Sequence, residues 1–495
     1  MGRRGLRLIT LAAIPALVLS ACGSTAATPS AAAPASGASA VPSAVVVPSV
    51  PANVGNMVVV RWFVGLGSGT QPNKIEAQKT FVKTYNASQN KIYINLEIVP
   101  NTNAYDILKT EIAAGNAPDI IGPVGVRGRN GFAGVFLDLS AEVTKFNYDT
   151  TKFPAAMLDF FKQGGDGQIG LPYLIYPGFI FYNKDIFAQQ NLPDLPKKVG
   201  DKWNGTDWTW DTLSTIAAQV TLDSKGKKST DAGFDASKIV QFGIDFQWAD
   251  GRRMASCFAS GSFVGSDGKA TIPDGWKAAW NWYYNAMWTK HYAPTGKYIS
   301  SALLNSGTTV SSGHIAMDAS WGWAINSYGT LDKAGKSTAK FAKWDIAVMP
   351  SYGGKTSSPL DADTFTIVKA SAHPDEAFQA MVAIMADKNL QIVYGGMPAA
   401  AADQQAWFDS FDKTLAAVFP GNQVSWAVMQ EMENYPANPS HEADMPNFLK
   451  VINLYGAFYT KLQSGPAGLD VNAALTTLQT SIQKAFEDAA ASPTA

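Results

Sequence analysis

The stretch Gly170–Phe187 constrains the fold of this chain more than any other. It opens with a turn at Gly170 and Pro172, runs through apolar and aromatic residues to Pro177-Gly178, and ends in Phe179–Asn183, whose composition predicts a buried strand. Proline lacks an amide donor and glycine weakens a strand, so this pair suits the middle of one sheet poorly. The pattern predicts a bend or a crossing between two sheets. An ordinary strand–turn–strand inside one domain is the alternative.

Length, charge and composition limit the class of protein. A chain of 495 residues is too long for one compact core, which predicts two or more lobes. The net charge of −1 provides no basic surface, so nucleic acid is not expected as the partner. The 14 Trp and 17 Tyr suit a sugar-binding cleft, whose walls use aromatic faces, but aromatic residues also fill cores.

The few cysteines and histidines predict no disulfide framework and no metal site. The two cysteines are Cys22 and Cys257, and the four histidines lie far apart without the spacing of metal ligands. We expect Cys257 to be a small buried apolar residue and the protein to need no cofactor.

The first 21 residues have the pattern of an export signal. Three arginines precede the apolar run Leu8–Leu19, which is too short to span a bilayer stably. The run ends in Leu19-Ser20-Ala21-Cys22-Gly23, which matches the bacterial lipobox and predicts cleavage before Cys22 and lipidation of that residue. A free cysteine near an ordinary cleavage site is the alternative.

Residues 22–56 are rich in Ala, Ser, Pro and Thr, which predicts a flexible tether between the lipid and a folded body. We therefore expect the protein to be held at the outer face of the bacterial cytoplasmic membrane. The lipid at Cys22 is the only membrane contact that the sequence predicts.

The folded body begins with alternating strands and helices. The pattern predicts strands at Met57–Phe63, Ile92–Val99 and Asp119–Gly122 with helices at Asn73–Tyr85 and Ala104–Ala114 between them. Such a rhythm favours a parallel-type sheet that binds ligands at the carboxyl ends of its strands.

The glycine-rich turn Gly65–Thr70 follows the first predicted strand. It lacks both the spacing of a dinucleotide-binding loop and the Lys-Ser/Thr end of a phosphate-binding loop, so a tight turn that a ligand approaches closely is the better interpretation. Phe63 and Gly65 are therefore candidate ligand-binding residues.

Several motifs resemble one protein family. Gly170-Leu-Pro-Tyr173, followed by Phe181-Tyr-Asn-Lys-Asp-Ile-Phe187, is similar to the hinge-crossing segment of the family 1 extracellular solute-binding proteins of bacterial ABC importers, in the sugar-binding, maltose-binding-protein-like branch. Ala113–Ile121, Ala316–Trp321 and Gly395–Ala399 resemble further segments of this family, and the likeness covers Met57–Ala489 in order.

The resemblance implies an α/β fold of the periplasmic-binding-protein type II, in which hinge crossings join two α/β lobes and the ligand cleft lies between them. Residues 57–175 and 363–433 would form lobe 1, residues 176–362 and 434–489 lobe 2, and residues 490–495 a disordered tail. The implied protein is a monomeric, non-enzymatic receptor that captures a mono- or oligosaccharide by hinge closure and delivers it to ABC permease subunits.

Two other functions stay open. A secreted carbohydrate-active enzyme would need two carboxylates across a cleft, and no local motif marks such a pair. The same receptor fold with a peptide, polyamine or metal chelate as its cargo is the other alternative.

Trp321 is the first candidate for stacking against a sugar, because the family has a ligand-stacking tryptophan in this pattern. The apolar face of a pyranose suits an indole ring while its hydroxyl groups need polar partners around the rim. The resemblance places seven further residues at the ligand: Trp323, Tyr173, Tyr176, Arg127, Trp248, Asp250 and Asp363. The maltose-binding pattern has an acidic residue before Arg127, where this chain has Val126, so maltose itself is not implied.

The segment Trp276–Lys290 carries aromatic residues at helical spacing. It could form an aromatic platform for a sugar, but packing into a core is the better interpretation of such a helix.

Overall fold

A computed structural model describes residues 49–51, 54–125, 128, 130–132, 134–163, 167–247, 251–305, 307–441, 443 and 445–491. All of them belong to one compact unit, Val45–Ala495. The predicted signal segment and lipobox, nearly all of the tether, and the candidate residues Cys22, Arg127, Trp248 and Asp250 lie outside the described residues.

The strands agree with the expected α/β pattern. In the described part of the chain they are β1 (Val58–Val64), β2 (Ile92–Ile98), β3 (Ile120–Gly125), β4 (Lys162–Gln163), β5 (Gly167–Gln168), β6 (Leu174–Asn183), β7 (Lys202–Trp203), β8 (Thr206–Asp207), β9 (Leu222–Asp223), β10 (Ile239–Asp245), β11 (Ile315–Trp321), β12 (Trp344–Ala347), β13 (Ser351–Tyr352), β14 (Lys355–Thr356), β15 (Leu360–Ile367) and β16 (Met397–Pro398).

Ten of these strands form one sheet in the described chain, in the order β2-β1-β3-β15-β6-β11-β10-β9, with β12 and β16 also pairing with β6. β1 runs parallel to β2 and β3, as the alternation of strands and helices predicted. β15 is antiparallel to both β3 and β6.

Helices of the described chain pack against the sheet and against one another. They are α1 (Pro72–Ser88), α2 (Asn101–Ala113), α3 (Ser140–Lys145), α4 (Ala155–Phe160), α5 (Lys184–Gln189), α6 (Trp210–Val220), α7 (Gly251–Ser256), α8 (Asp274–Trp288), α9 (Gly296–Ile299), α10 (Pro374–Ala386), α11 (Lys388–Tyr394), α12 (Ala401–Val418), α13 (Ala427–Met432), α14 (Phe448–Ser464) and α15 (Val471–Ala491). Within the described residues, no helix combines the length and the apolar character that crossing a membrane requires.

β6 is the crossing that the sequence predicted. Its first half pairs with β15 and β16, from Leu174 to Pro177, and its second half pairs with β11 and β12, from Gly178 to Asn183. The strand is continuous through Pro177-Gly178, and the change of partners falls at that pair. All ten residues of the strand are buried. Proline has no amide to donate to a neighbouring strand. It is tolerated here because β6 changes its hydrogen-bonding partners at this point.

Gly178 is needed because the chain that leads into β15, the second crossing strand, passes directly over it. Its amide donates to the carbonyl oxygen of Pro359 at 3.0 Å, and a Cβ atom would lie 2.9 Å from both the Cδ and the carbonyl oxygen of that proline. A residue with a side chain therefore cannot occupy this position without displacing one crossing strand.

The Tyr-Asn-Lys-Asp motif ends the strand and starts the next helix. Asn183 caps α5, since its Oδ1 accepts from the amides of Asp185 at 3.0 Å and Ile186 at 3.3 Å. The Asp185 carboxylate accepts in turn from the amide of Ala342 at 2.6 Å, which attaches the helix to the segment before β12.

Separate hydrophobic clusters form the core. The largest contains the aromatic residues of α8, including Trp276, Trp280 and Tyr283, so the prediction that this helix packs into a core is confirmed. Cys257 is fully buried in the same cluster, also as predicted. Two smaller clusters lie around β1, β2, β3 and α10.

The third crossing is β16, which pairs with the first half of β6. Beyond it, α12 packs into the largest cluster through Trp407, and Phe419 contacts the ring of Trp344 on β12 with centroids 5.8 Å apart. The lobe boundaries remain a prediction, and this packing favours moving residues 401–433 from lobe 1 to lobe 2.

Gly178→Ala is expected to destabilise the protein by about 1 to 3 kcal/mol, because overpacking at the strand crossing forces backbone shifts. Urea unfolding at pH 7 measures the effect. Gly456→Ala is the matched control: Gly456 lies in α14, and no packed neighbour stands within 4 Å of the position that a Cβ atom would take, so alanine should be neutral or stabilising there. Equal stability of the two variants would contradict the close approach at Gly178.

Glu433 should make stability depend on pH near neutrality. Burial raises its pKa to about 7, an effect that the hydrogen bond from Gln404 Nε2 at 3.0 Å only partly opposes. A raised carboxyl pKa contributes stability that is present below the unfolded value near 4.5 and is lost as the pH rises through about 7. Glu433→Gln should therefore gain stability relative to the native chain between pH 5 and pH 8 in urea unfolding. The exposed control Glu76→Gln should show no such trend, and a pH-independent difference for Glu433→Gln would contradict the assignment.

Candidate functional site

A cleft of about 740 Å3 lies beside the crossing strands β6 and β15. Its lining comes from the turn after β1, the start of α1, the first residues of β15, α7, α11, α12 and the 3-10 turn Gly322–Ser327. The volume is typical of a small-molecule site. Among the lining residues are Ser68, Lys74, Tyr176, Arg253, Trp323, Asp361, Asp363 and Tyr394.

One wall of the cleft is the glycine-rich turn and the helix that follows it. Leu66, Gly67 and Ser68 line the cleft, as the interpretation of this turn as one approached by a ligand predicted. Lys74, in the first turn of α1, donates to Ser68 Oγ at 2.6 Å. Burial lowers the pKa of Lys74, and Asp363 partly opposes this. The turn and the helix therefore present the Ser68 hydroxyl group and the Lys74 ammonium group to the cleft, and the hydrogen bond between them fixes their orientation.

Asp363 and Tyr176 stand on the two crossing strands at the bottom of the cleft. The Tyr176 hydroxyl donates to Asp363 Oδ2 at 3.2 Å, and both side chains are buried to nine-tenths or more. Burial and the neighbouring Asp363 carboxylate raise the pKa of Tyr176 well above its usual value. The tyrosine thus stays neutral and acts as a hydrogen-bond donor at any physiological pH.

Asp361, two residues earlier on β15, is held by three side chains. Arg253 contacts both of its oxygens, with Nε 3.2 Å from Oδ2 and Nη2 3.3 Å from Oδ1. Trp323 Nε1 donates to Oδ2 at 2.7 Å, and Nε2 of the fully buried His441 lies 3.3 Å from Oδ1. Burial raises the pKa of Asp361, but Arg253, His441 and Trp323 outweigh it and bring that pKa to about 2.

The two tryptophans of the Ser-Trp-Gly-Trp motif form a parallel stack beside this carboxylate. The rings of Trp321 and Trp323 are 5.8 Å apart with an interplanar angle of 4°. The Arg253 guanidinium lies 5.3 Å from the first ring centroid and 5.7 Å from the second. Trp321 is fully buried and donates to the carbonyl of Pro359 at 3.1 Å, whereas Trp323 is half-buried and lines the cleft.

The sequence of residues 80–428 matches the family model of the bacterial extracellular solute-binding proteins. The chain belongs to this family. The match spans both crossing strands and the lining residues of the cleft from Tyr105 onwards. No curated protein matches this sequence significantly.

Solved structures with the same fold include sugar-binding proteins of ABC transporters. The ABC substrate-binding protein Lmo0181 of Listeria monocytogenes, in complex with cycloalternan, is 18% identical with a TM-score of 0.62, covering 87% of this chain and 99% of its own. The sugar-binding protein MalE of Xanthomonas citri is 15% identical with a TM-score of 0.63, covering 87% and 98%. The cyclic alpha-maltosyl-1,6-maltose binding protein of Arthrobacter globiformis is 17% identical with a TM-score of 0.61, covering 87% and 100%. These likenesses establish the periplasmic-binding-protein fold with two lobes.

The structure brings together three of the residues predicted to contact the ligand. Tyr176, Asp363 and Trp323 line the cleft. The other described candidates lie behind its wall: Phe63 and Trp321 are fully buried, Gly65 packs against Val99 and Ala104, and Tyr173 packs against Phe365 and Tyr394. Their contact with a ligand remains a prediction, and their positions suit support of the lining residues.

The sequence interpretation missed Lys74, Arg253, Asp361 and His441. Asp361 carried a usable signal, because it stands two residues before Asp363 on a predicted strand and so shares its face. Lys74 follows the glycine-rich turn within one helical turn. Arg253 and His441 gave no local signal, since their contacts with Asp361 join residues 108 and 80 positions apart in the sequence.

Asp361→Asn is expected to lower the free energy of unfolding by about 3 kcal/mol, because it removes the buried carboxylate that Arg253, His441 and Trp323 contact. Urea unfolding at pH 7 measures the loss. Arg253→Met combined with Asp361→Asn should lose less than the sum of the two single losses, since the two side chains contact each other. The exposed control Asp274→Asn should stay within about 0.5 kcal/mol of the native chain. Additive losses in the double variant would show that the pair is not coupled.

Proposed function

We propose that this solute-binding protein captures a neutral carbohydrate, a mono- or oligosaccharide, in the cleft and delivers it to the permease of an ABC importer. The observation that carries the proposal is the charge arrangement of the cleft floor. Asp361 is paired with Arg253, and Asp363 lies near Lys74 and accepts from Tyr176. Among the described residues of the floor, both carboxylates therefore have cationic neighbours, and the floor offers many hydrogen-bonding groups.

A neutral polyol suits such a floor better than a charged cargo. A peptide, polyamine or metal chelate would bring charge that must be compensated, and both carboxylates of the described floor already have cationic neighbours. Hydroxyl groups need donors and acceptors in alternation, which Ser68, Lys74 and Asp363 supply along one side. Trp323 and Tyr394 add aromatic surface for the apolar face of a sugar ring. The cycloalternan complex of the Listeria protein, which has the same fold, supports the same choice.

Closure of two lobes around the ligand would provide the transport signal. The lining comes from both sides of the crossing strands, with Lys74 before the first crossing and Trp323 after it. A ligand that contacts both sides binds a closed form more tightly than an open one and shifts the equilibrium towards closure. We propose that the crossings β6, β15 and β16 act as the hinge of a monomer.

The chemistry of the cleft favours binding over hydrolysis. A glycosidase needs one carboxyl group that is protonated near neutral pH opposite a second carboxylate. Asp361, with a pKa of about 2, cannot act as a general acid at neutral pH, and Asp363 stands on the same strand rather than across the cleft. Incubation with oligosaccharides should therefore yield no product.

We further propose that the chain is exported and lipidated at Cys22, so that the receptor is held at the outer face of the membrane. The lipobox pattern supports this proposal, as does the extracellular location of the family. Metabolic labelling with a radioactive fatty acid tests it, since Cys22→Ser should abolish the label.

Trp323→Ala is expected to weaken sugar binding about tenfold, since an aromatic stack and its buried area contribute about 1 to 2 kcal/mol. The measurement is titration calorimetry against a panel of mono- and oligosaccharides, after tryptophan fluorescence has identified a ligand. Tyr352→Ala is the matched control, because Tyr352 is 39% exposed and does not line the cleft.

A ligand that binds both variants with native affinity would contradict the role of Trp323. No response from any sugar in the panel, combined with a response to amino acids, peptides or polyamines, would overturn the choice of carbohydrate while leaving the family intact.

A further inference from the structure

β2 is the edge strand of the sheet at the lobe 1 end, and its outer side exposes backbone groups. The amide of Val58 donates to the carbonyl of Lys91 and the amide of Val99 to that of Val64, so alternate residues of β2 from Tyr93 to Glu97 bond to β1. The amides of Ile92, Ile94, Leu96 and Ile98 consequently point away from the sheet.

Half of this outer edge is closed by side chains of α1 and of the turn that follows it. The amide of Ile94 donates to Asn86 Oδ1 at 2.8 Å, and its carbonyl accepts from Asn86 Nδ2 at 3.0 Å. Gln89 satisfies Ile92 in the same way, with its Oε1 2.9 Å from the amide. Within the described residues, no side chain does this for Leu96 or Ile98. Exposed strand edges of this kind are usually covered in natural proteins.

An elongated groove of about 720 Å3 runs along this edge. Its floor is largely apolar and includes half-buried Val82, Leu96 and Ile98, while Lys79 and Lys83 stand at its rim. The first described residues of the chain, Ser49, Pro51, Val54 and Met57, line the same groove. The chain therefore enters the folded body through this groove.

The residues just before Ser49 match the open edge. Val45-Val46-Val47 are three consecutive β-branched residues, which favour strands, and Pro42 and Pro48 limit the length that could pair. Three residues of a strand span about 10 Å, the same length as Leu96–Ile98. The segment carries no charge, so it suits an apolar floor. It lies outside the described residues, but only Pro48 separates it from Ser49, which already lines the groove.

We propose that Val45–Val47 docks in the groove and adds a short strand to the open part of the β2 edge. Valine side chains on one face of this strand would cover the groove floor, and its backbone would bond to Leu96 and Ile98. The free tether would then end near Ala44, before the residues that already line the groove, and it would leave the body at one fixed place on lobe 1. Docking would also remove an edge that could otherwise pair with a second copy.

Hydrogen–deuterium exchange at single-residue resolution on the full-length chain tests the proposal. The test variant is Val45→Ser with Val46→Ser and Val47→Ser, and the control changes Ala31, Ala32 and Ala33 to Ser in the distal tether. In the native chain and in the control, the amides of Leu96 and Ile98 should exchange at least about tenfold more slowly than in the test variant. The amides of Ile92 and Ile94, bonded to Gln89 and Asn86, should be unchanged in all three.

Each other outcome decides against the proposal. Equally fast exchange of Leu96 and Ile98 in all three chains would show that the edge is open. Equal protection that increases with protein concentration would assign the edge to a second copy of the chain, and equal protection independent of concentration would exclude the valines as its cause. Thermal unfolding confirms that the variants are folded. Sugar binding should be the same in all three chains, so failure of this proposal can be told apart from failure of the proposed function.

Discussion

The contact between Gly178 and Pro359 is the constraint on which the rest of the structure depends. Here β6 exchanges its partners β15 and β16 for β11 and β12, and the second crossing lies against it with no room for a Cβ atom. Because the two crossings are this close, the residues that follow on β15, Asp361 and Asp363, are brought beside Tyr176 and Trp323. The cleft floor is thus a direct product of the crossing.

Within that floor, electrostatics decides what the site can do. Burial alone would raise the pKa of Asp361, yet Arg253, His441 and Trp323 keep it ionised. An ionised carboxylate held from three directions accepts hydrogen bonds in a fixed geometry and gives up no proton. The arrangement that keeps Asp361 from donating a proton leaves it a strong acceptor for hydrogen bonds from hydroxyl groups.

The tryptophan pair shows how a buried residue contributes to a site that it does not line. Trp321 is fixed by its hydrogen bond to Pro359 at the crossing and carries Trp323 in a parallel stack. Trp323 in turn donates to Asp361. The ring that faces the cleft is therefore oriented through the ring behind it, and preorganisation of this kind reduces the entropy that is lost when a ligand binds.

The sequence by itself determined the crossing at Pro177-Gly178, the order of strands and helices in the first lobe, the core role of α8, and the family, because these depend on local composition and on motifs contiguous in the chain. Tertiary structure alone decided which tryptophan of the pair lines the cleft, and that α12 packs with the largest core. It also brought Arg253 and His441 into contact with Asp361. These contacts join residues that are too far apart in the sequence for a local pattern to predict them. Periodicity assigns a residue to a face, but burial and ion pairing depend on what the rest of the chain places against that face.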